Sequence, residues 1–407
     1  MSRIDELIAE LAPAGIQSKL LGDIAELVRG NGMPKIDLTQ EGIGAIHYGQ
    51  IYTRYGVWTK ETFSFVSPEA AVKLAKADPG DIIITNTSEN FDDVCKAVAW
   101  LGNESIVTGG HATVINHGEE PKYLSYWFQS ESFGVQKKAL ATGTKVIDVS
   151  AKQLMKVRIP VPPLEVQREI VRVLDEFSQL EAELESELTA RQSQRLALAK
   201  NFAVSGLTKV AWKSVSLGSI ARPSIEPVKV ESGEQYANLG VKWYGEGVLA
   251  REPRLGSSIK ATSLYRARAG QFIYNRMFVV EGSFAIVPEC CDGTVVSGEF
   301  PLYELDNSRV DPYFVLELFK DEHTLKRIEA EVIGVERGTM RSRRRWKQDQ
   351  FARFEVLLPP LETQREITQV LRASDALIFA LQDEILARRK QYEYYRDKLL
   401  TFDEAAE

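Results

Sequence analysis

The sequence predicts an α+β protein in which two mixed α/β domains are separated by two long antiparallel coiled-coil helices, with an internal pseudo-two-fold duplication. Three observations indicate this fold: a segment that occurs twice, a helical repeat after each copy, and matched motifs before each copy. The 407 residues, 44% of them hydrophobic, are enough for two cores. We place the boundaries at residues 1–158 (a short helix and the first domain), 159–205 (the first long helix), 206–356 (the second domain) and 357–407 (the second long helix).

The repeated segment covers residues 162–174 and again residues 359–371, and ten of its thirteen positions are identical. Each copy opens with two prolines, which have a fixed φ and no N–H and are tolerated up to the first turn of a helix. Glu165 and Glu362 then suit the positive end of a helix dipole. Each copy therefore predicts the start of a helix.

A repeat of apolar residues follows each copy, at steps of three and four residues. Neither run contains Gly or Pro for about 35 to 40 residues, so each helix can reach about 50 to 60 Å at 1.5 Å per residue. One such helix alone would expose its apolar seam, and we expect the two to pair antiparallel as a coiled coil. Two unrelated surface helices are the alternative. The predicted helix-start and seam residues are Pro162, Pro163, Leu164, Gln167, Ile170, Leu174 and Phe177, and Pro359, Pro360, Leu361, Gln364, Ile367 and Leu371.

The two predicted domains share motifs in the same order. Residues 19–25 and 215–221 each predict a strand, a glycine and a short turn. Residues 82–84 and 272–274 each predict a strand, and residues 123–128 and 313–318 each predict a helix. A Gly-Thr pair precedes each proline turn, at residues 143–144 and 338–339. The domains thus share a fold, while most of their other residues differ. Residues 2–11 predict a further short amphipathic helix.

Several classes of protein are excluded by what the sequence lacks. No run of eighteen apolar residues exists and the N-terminus is acidic, so we expect a cytoplasmic protein with no membrane segment. Three cysteines without CxxC spacing and four histidines argue against a disulfide framework or a structural zinc. The sequence has neither a glycine-rich phosphate loop for ATP nor the Asn/Asp-Pro-Pro-aromatic loop of a DNA methyltransferase. We therefore predict no catalytic residue, no metal and no cofactor of its own.

The order of globular half, PPLExQREI helix, second globular half and second PPLExQREI helix resembles the specificity subunits of type I restriction-modification systems. The opening residues 4–11 and the closing residues 392–400 are also similar to that family, so the resemblance covers essentially the whole chain. It implies two target-recognition domains, held apart by a helical spacer, that read a split sequence of double-stranded DNA. It also implies partners that perform the chemistry: two methylation subunits with S-adenosylmethionine, docked on the helices and recognition domains, and restriction (motor) subunits with ATP and Mg²⁺.

The first domain has an aromatic and amide-rich stretch at residues 46–56 and a short polar loop at residues 86–88. Gln can bond an adenine edge and Arg a guanine edge, while tyrosines contact phosphate or sugar. Lysines farther along the chain predict phosphate contacts, although ordinary strand-and-loop surface is the alternative for each residue. The predicted DNA-binding residues are Gln50, Tyr52, Arg54, Tyr55, Lys60, Asn86, Ser88, Lys137, Lys138 and Lys145.

The second domain carries the strongest electrostatic signal in the chain. Residues 337–347 hold six basic residues and no acid, in a protein whose net charge is −7. Binding to nucleic acid depends on such local clusters and not on the total charge. Further polar residues lie at 242–244 and at the predicted strand end 274–276. The predicted DNA-binding residues are Lys242, Tyr244, Tyr274, Asn275, Arg276, Arg337, Arg341, Arg343, Arg344, Arg345 and Lys347.

Two other functions stay open from the sequence. A structural adaptor would dimerise through the coiled coil and bind protein with its globular ends, and it would never confer sequence-dependent DNA binding. An autonomous enzyme is the third possibility, and it has no catalytic motif to support it.

Overall fold

A computed structural model describes residues 2–204, 212–261, 263–333 and 345–402. Contacts divide the chain into two compact units: the first comprises Met1–Glu185 and Asp383–Glu407, and the second comprises Ser186–Gln382. This division differs from the boundaries predicted from the sequence, because each long helix contributes residues to both units.

The first unit combines short helices with two larger sheets. Its helices before the first long helix are α1 (Arg3–Leu11), α2 (Leu21–Ile24), α3 (Tyr48–Thr53), α4 (Pro68–Ala71), α5 (Pro121–Trp127), α6 (Glu131–Leu140) and α7 (Ala151–Leu154). Its strands are β1 (Ser18–Leu20), β2 (Ala25–Arg29), β3 (Ile43–Ile46), β4 (Trp58–Thr59), β5 (Ser64–Val66), β6 (Ala75–Ala77), β7 (Ile82–Thr85), β8 (Thr87–Ser88), β9 (Ala97–Trp100), β10 (Ile106–Thr108), β11 (Ala112–His117), β12 (Ile147–Asp148) and β13 (Arg158–Pro160).

The sheets of the first unit follow from its apolar runs. Five strands form a sheet in the order β2-β11-β7-β9-β4, and four form a second sheet in the order β5-β3-β10-β6. Strand β7 lies in the middle of the first sheet and every one of its residues is buried, as expected for a short, continuous apolar run. Its Ile82 and Ile84 pack in one core with Tyr123 and Trp127 of α5 and with Ile4 of α1.

The second unit has smaller sheets. Its strands are β14 (Lys213–Ser216), β15 (Ala221–Pro223), β16 (Pro227–Lys229), β17 (Gln235–Tyr236), β18 (Leu239–Val241), β19 (Val248–Ala250), β20 (Arg254–Leu255), β21 (Ser263–Arg266), β22 (Phe272–Tyr274), β23 (Phe284–Ile286), β24 (Val295–Val296), β25 (Leu302–Leu305) and β26 (Glu355–Leu358). Its shorter helices are α9 (Pro312–Lys320), α10 (Glu322–Ile333) and α11 (Gln348–Arg353). The four-stranded sheet β15-β25-β22-β23 packs on α9 and α11 through Phe272, Phe319 and Phe351.

The duplication read from the sequence is present in the folded units. In each one, the opening strand pairs antiparallel with the strand that leads into the Pro-Pro turn: β1 with β13, and β14 with β26. The strands predicted at residues 82–84 and 272–274 are confirmed as β7 and β22, and the helices predicted at 123–128 and 313–318 are confirmed as α5 and α9. The predicted N-terminal helix is α1.

The two long helices begin directly after the Pro-Pro turns, as predicted. Helix α8 runs over Leu164–Val204 and a further helix over Leu361–Leu399, here called α12. In the first unit they pair antiparallel, with Phe177 stacked on Tyr395 at 5.6 Å and the Arg389 guanidinium 2.6 Å from Glu181.

The second unit also contains an antiparallel pairing of α8 with α12. There Arg195 binds Asp375 at 2.7 Å, and Leu198 packs in the same core as Ile367 and Leu371. The coiled-coil prediction is therefore confirmed in each unit taken by itself.

One local prediction in the first unit is wrong. The polar loop predicted at residues 86–88 is partly β-structure, because Thr87 and Ser88 form β8 and pair with β12. Tertiary partners override the local signal there. The stretch at residues 46–56 contains helix α3, whose N-cap is the His47 side chain.

Candidate DNA interface

In the first unit, one face of α3 meets β8 and His111. The Tyr52 hydroxyl donates to the Thr87 carbonyl, and the Lys96 ammonium donates to the Tyr52 carbonyl at 3.3 Å. The Tyr48 ring lies 4.8 Å from the His111 ring, and His111 Nδ1 is 2.9 Å from the Thr87 hydroxyl. The fold thus brings α3, β8 and His111, which are separate in the sequence, together in one polar surface. The sequence reasoning had missed Tyr48 and His111. Tyr48 lies in the aromatic stretch at residues 46–56, whereas no motif in the sequence around His111 indicates that it contacts Tyr48 and Thr87.

The polar side chains of α3 divide into internal and exposed ones. The Gln50 amide donates to Ser64 Oγ at 2.6 Å and accepts from the N-cap N–H at 3.3 Å, so it caps the helix. The Tyr55 hydroxyl accepts from the Phe63 N–H at 3.0 Å, and burial raises its pKa. Burial likewise raises the pKa of Tyr52, whose hydroxyl is bonded as described above. Gln50, Tyr52 and Tyr55 therefore serve the fold.

Exposed cations remain available elsewhere in the first unit. The Arg54 guanidinium is exposed and lies 5.6 Å from the centre of the Phe63 ring. Lys60, Lys138 and Lys145 are exposed as well. These four side chains can reach a phosphate or a base edge without disturbing the core.

Lys145 lies at the tip of a hairpin that the Gly143-Thr144 pair shapes. Thr142 and Asp148 exchange backbone hydrogen bonds at 2.9 and 2.8 Å across the hairpin. Gly143 has φ 93°, and a Cβ there would come within 2.1 Å of the Val146 carbonyl oxygen. The glycine is thus required for the turn that presents Lys145.

Asn86 and Ser88 lie in the interior of the first unit, which corrects the prediction for them. Asn86 is fully buried: its amide donates to the Val149 carbonyl and accepts from the Thr113 hydroxyl, both at 2.8 Å. Ser88 is buried within β8, and its hydroxyl accepts from the Asn90 N–H at 3.3 Å. Buried polar groups that already have their partners cannot meet DNA without local unfolding.

Lys137 requires the same correction. Its side chain is buried, and its ammonium donates to the carbonyls of Phe91 at 2.9 Å and Val94 at 3.1 Å. Burial lowers the pKa of this lysine, with Cys95 and nearby aspartates opposing the shift. Lys137 therefore closes a loop onto α6 and is not a phosphate contact.

In the second unit, the three predicted stretches converge. The first is the tip of the β18–β19 hairpin, where the Tyr244 N–H donates to the Glu281 carbonyl at 2.9 Å. The second follows β22, where the Asn275 N–H donates to the Ser283 carbonyl at 2.9 Å. The third begins at Arg345, and the next residue, Trp346, donates its N–H to the Arg276 carbonyl at 2.9 Å. Residues 274–276 and 345–347 are therefore bonded directly, and the loop at residues 281–283 links them to residues 242–244.

Two of the predicted contacts in this unit are internal. Tyr274 is fully buried against Trp346 and Phe351, and burial raises the pKa of its hydroxyl. Asn275 is buried too, and its side-chain oxygen accepts from the Met277 N–H at 3.0 Å. Both residues shape the strand end and are corrected to structural roles. Arg276 is half-buried, and its Nε has no partner among the described residues, so this guanidinium has hydrogen-bonding capacity left.

The basic run is described only from Arg345 onward. The Arg345 guanidinium pairs with Glu299 at 2.9 Å and Lys347 is exposed, as are Lys242 and Tyr244 at the hairpin. Four of the predicted contacts lie outside the described residues, so their part of the prediction stays a prediction: Arg337, Arg341, Arg343 and Arg344.

The repeated glutamine of the PPLExQREI motif forms a buried clamp in each unit. Gln167 accepts from the Glu120 N–H at 2.9 Å and donates to the Pro162 carbonyl at 2.8 Å and to the Glu119 carboxylate at 2.6 Å. Burial raises the pKa of the neighbouring Glu120, whose carboxylate caps α5. The clamp thus ties the start of α8 to the start of α5.

Gln364 makes the matching clamp in the second unit. It accepts from the Asp311 N–H at 2.9 Å and donates to the Pro359 carbonyl at 2.8 Å and the Arg309 carbonyl at 3.2 Å. Both glutamines are among the predicted helix-start and seam residues of the spacer and partner helices, and because they are buried they fasten their own unit and do not face a partner.

Six of the other predicted helix-start and seam residues are buried as well. Pro162, Ile170 and Leu174 are buried in the first unit, and Pro359, Ile367 and Leu371 in the second, whereas Pro163, Phe177 and Leu361 are half-buried and Leu164 and Pro360 are exposed. The buried ones belong to the core of their own unit and cannot serve a partner directly.

Among the residues that the structure describes, no group of His, Cys, Asp and Glu side chains is arranged to hold a metal ion. Every helix in those same ranges is too short or too polar to cross a lipid bilayer.

Comparisons with known proteins agree with this arrangement. A family model described as the type I restriction modification DNA specificity domain matches residues 13–191. The EcoR124I/EcoR124II specificity subunit of Escherichia coli is 23% identical over 384 residues, which cover 88% of this chain and 90% of the relative. The MjaVIII specificity subunit of Methanocaldococcus jannaschii is 21% identical over 394 residues, covering 88% of this chain and 85% of the relative.

Solved structures share the fold. The S subunit of a type I system from M. genitalium has a TM-score of 0.55 at 14% identity, covering 95% of this chain and 96% of the other. The HsdS subunit from Thermoanaerobacter tengcongensis has a TM-score of 0.52 at 16% identity, covering 95% and 96%. The repeated helix motif, the duplicated units and these relatives agree: the chain is similar to the DNA specificity subunits of type I restriction-modification systems, and its residues 13–191 match the model of their specificity domain.

Proposed function

We propose that this chain reads a bipartite target in double-stranded DNA, with one half-site for each unit, and that it performs no chemistry itself. The observation that carries the proposal is that the two units share a backbone framework but expose different side chains. Each unit has the paired opening strand, the capped helix and the glutamine clamp. The exposed cations differ between the units: Arg54, Lys60 and Lys145 in the first, and Lys242 and Lys347 in the second. Two different surfaces on one frame can read two different base sequences.

We further propose that other subunits supply the chemistry. Two methylation subunits would bring S-adenosylmethionine, and restriction subunits would bring ATP and Mg²⁺. Support comes from the relatives, which are named as specificity subunits of type I restriction enzymes and therefore as one kind of subunit in a larger enzyme. Because the target is DNA, we expect the complex to work in the cytoplasm.

A mobility-shift experiment tests the proposal. The chain is purified alone and with co-expressed methylation subunits, and each sample is offered a duplex that carries the methylated motif and a duplex with scrambled half-sites. We expect the complex to retard the motif duplex at concentrations at least ten-fold lower than the scrambled one. Equal retardation of both duplexes would contradict sequence reading and would favour the structural adaptor.

A further inference from the structure

A strained aromatic tip ends the β18–β19 hairpin of the second unit. Tyr244 has φ 56°, and of the residues that the structure describes, Cys95 is the other non-glycine residue with positive φ. This backbone conformation is unfavourable for a residue with a Cβ, and it is a rare outlier for a bulky one. The neighbours Gly245 and Gly247, with φ 68° and 92°, adopt it freely. A tyrosine in a turn that glycine would suit indicates that the ring has a function.

The Tyr244 side chain contributes little to the core of the unit. It is 73% exposed, and Trp243 beside it is 47% exposed. The Trp243 ring lies 5.6 Å from the Phe278 ring and meets the Tyr244 ring edge-on at 6.3 Å. The three rings therefore pack in a row, in which Trp243 contacts Phe278 on one side and the exposed Tyr244 phenol on the other.

The tip is held in place by backbone hydrogen bonds. The N–H groups of Tyr244 and Gly245 donate to the carbonyls of Glu281 and Gly282, at 2.9 and 2.7 Å. Gly282 has φ 77°, and a Cβ there would lie 2.9 Å from the Tyr244 Cα. A glycine is thus needed for this close approach, and the aromatic tip is fixed before any ligand arrives.

Charges around the tip suit a polyanion. Lys242 and Arg251 are exposed on the same hairpin, and the Arg251 guanidinium lies beside Gly240 of β18. The acids nearby include Glu246 at the tip, Glu281 below it and the exposed Glu252 next to Arg251. The next loop contributes Arg276, whose carbonyl accepts a hydrogen bond from the Trp346 N–H near the end of the basic run. The hairpin thus carries exposed cations as well as a bare aromatic ring, and a nucleic acid offers both phosphates and flat bases to such a surface.

We propose that Tyr244 stacks on a base within the half-site that the second unit reads, while Lys242 and Arg251 contact the adjoining phosphates. This rests on the proposed function, because it takes DNA as the ligand of the second unit. An aromatic side chain inserted at a base step partly unstacks it, and flexible steps resist this least. We therefore expect the second unit to prefer DNA with a deformable base step where Tyr244 stacks, in addition to any base preference that comes from contacts with base edges nearby.

Variants of Tyr244 test the proposal in the complex with the methylation subunits. Tyr244→Gly and Tyr244→Asn remove the ring and accept a positive φ, so the turn is kept, and Tyr244→Phe keeps the ring. Leu249→Ala is the matched control, since Leu249 is an exposed apolar residue on β19 of the same hairpin. We expect the Gly and Asn variants to bind the cognate duplex about 5- to 150-fold more weakly, and the Phe and Leu249 variants to stay within about 3-fold.

A fluorescence scan supplies a second readout. The adenine analogue 2-aminopurine is placed in turn at each position of the second half-site, and its emission is recorded with the unchanged chain and with Tyr244→Asn. We expect one position whose emission changes on binding of the unchanged chain and stays closer to free duplex with the variant. The scan of the unchanged chain tests whether a base in the second half-site is unstacked, even if a variant folds poorly.

Two results would overturn the stacking contact: ring-free variants that bind as well as the unchanged chain, or a half-site without any responsive 2-aminopurine position. A Leu249→Ala loss equal to that of Tyr244→Asn would also overturn it, because the effect would then belong to the hairpin as a whole. These outcomes are distinct from a failure of the proposed function, in which the unchanged complex would show no preference for the motif duplex.

Discussion

Replacing either clamp glutamine by leucine should remove several kcal/mol from the stability of its unit. Leucine has a similar volume but can neither donate nor accept a hydrogen bond. In Gln364→Leu, the Asp311 N–H and the carbonyls of Pro359 and Arg309 lose their partner. In Gln167→Leu, the Glu120 N–H and the Pro162 carbonyl lose theirs, whereas the half-buried Glu119 carboxylate can turn toward water.

The size of the effect follows from the orphaned backbone groups. A buried group left without a partner costs about 1 to 3 kcal/mol. Two such groups in one variant and three in the other, with some local relaxation, predict a loss of about 2 to 5 kcal/mol in each case. This is a large fraction of the stability of a typical domain.

Urea unfolding followed by circular dichroism and tryptophan fluorescence measures the loss. Gln179→Leu is the matched control, because Gln179 is an exposed glutamine on α8 that bonds Glu183 at 2.9 Å. We expect the control to stay within about 0.5 kcal/mol of the unchanged chain. Clamp variants that are equally close to the unchanged chain would refute the reasoning, since the buried amides would then not fasten the helix starts.

Three further predictions concern charge. Gln167→Glu puts a second carboxylate where Gln167 Nε2 lies 2.6 Å from the Glu119 carboxylate, so repulsion raises the pKa of the pair in the folded state. Its stability should therefore be greatest at about pH 4 and fall as the pH rises to about 8. Melting temperatures measured across this range should fall more steeply for Gln167→Glu than for Gln364→Glu, because the Gln364 amide of the unchanged chain donates to backbone carbonyls and not to a carboxylate. Arg195→Met removes the partner of the Asp375 carboxylate and leaves Glu317 paired with Lys320 alone, and it should cost about 2 to 4 kcal/mol in urea unfolding, against about 0.5 kcal/mol for the exposed Arg191→Met. The third variant replaces four residues of the basic run by alanine: Arg341, Arg343, Arg344 and Arg345. It should bind DNA more weakly, and the log–log slope of affinity against salt concentration should become shallower by about one unit for each lost phosphate contact. An unchanged slope would contradict a role in phosphate binding.

The long helices were predictable because their signal extends over many residues. The Pro-Pro pair marks the start, and the apolar repeat continues for about ten turns, so chance agreement is improbable. The internal duplication then predicted that both units share one frame. The structure bears this out in the pairing of β1 with β13 and of β14 with β26.

The candidate site was harder to predict, because burial depends on distant partners. Lys137 sits in a polar-looking helix segment, yet carbonyls more than forty residues away in the chain enclose its ammonium. Asn86 likewise bonds Val149, 63 residues along the chain. A signal for the glutamine clamps did exist: Gln167 and Gln364 are identical polar residues beside buried helix positions in both copies of the motif. A polar side chain at such a place indicates an internal hydrogen-bonding role.

The half-site assignment for the two units is tested most directly by exchanging one recognition domain. Residues 20–158 are replaced by the equivalent half of a relative, the chimera is expressed with its methylation and restriction partners, and the methylated motif in cellular DNA is read by sequencing. We predict a bipartite motif in which one half-site changes to that of the donor and the other stays as it was. A motif that changes in both halves, or one that is not split, would contradict independent reading by two units.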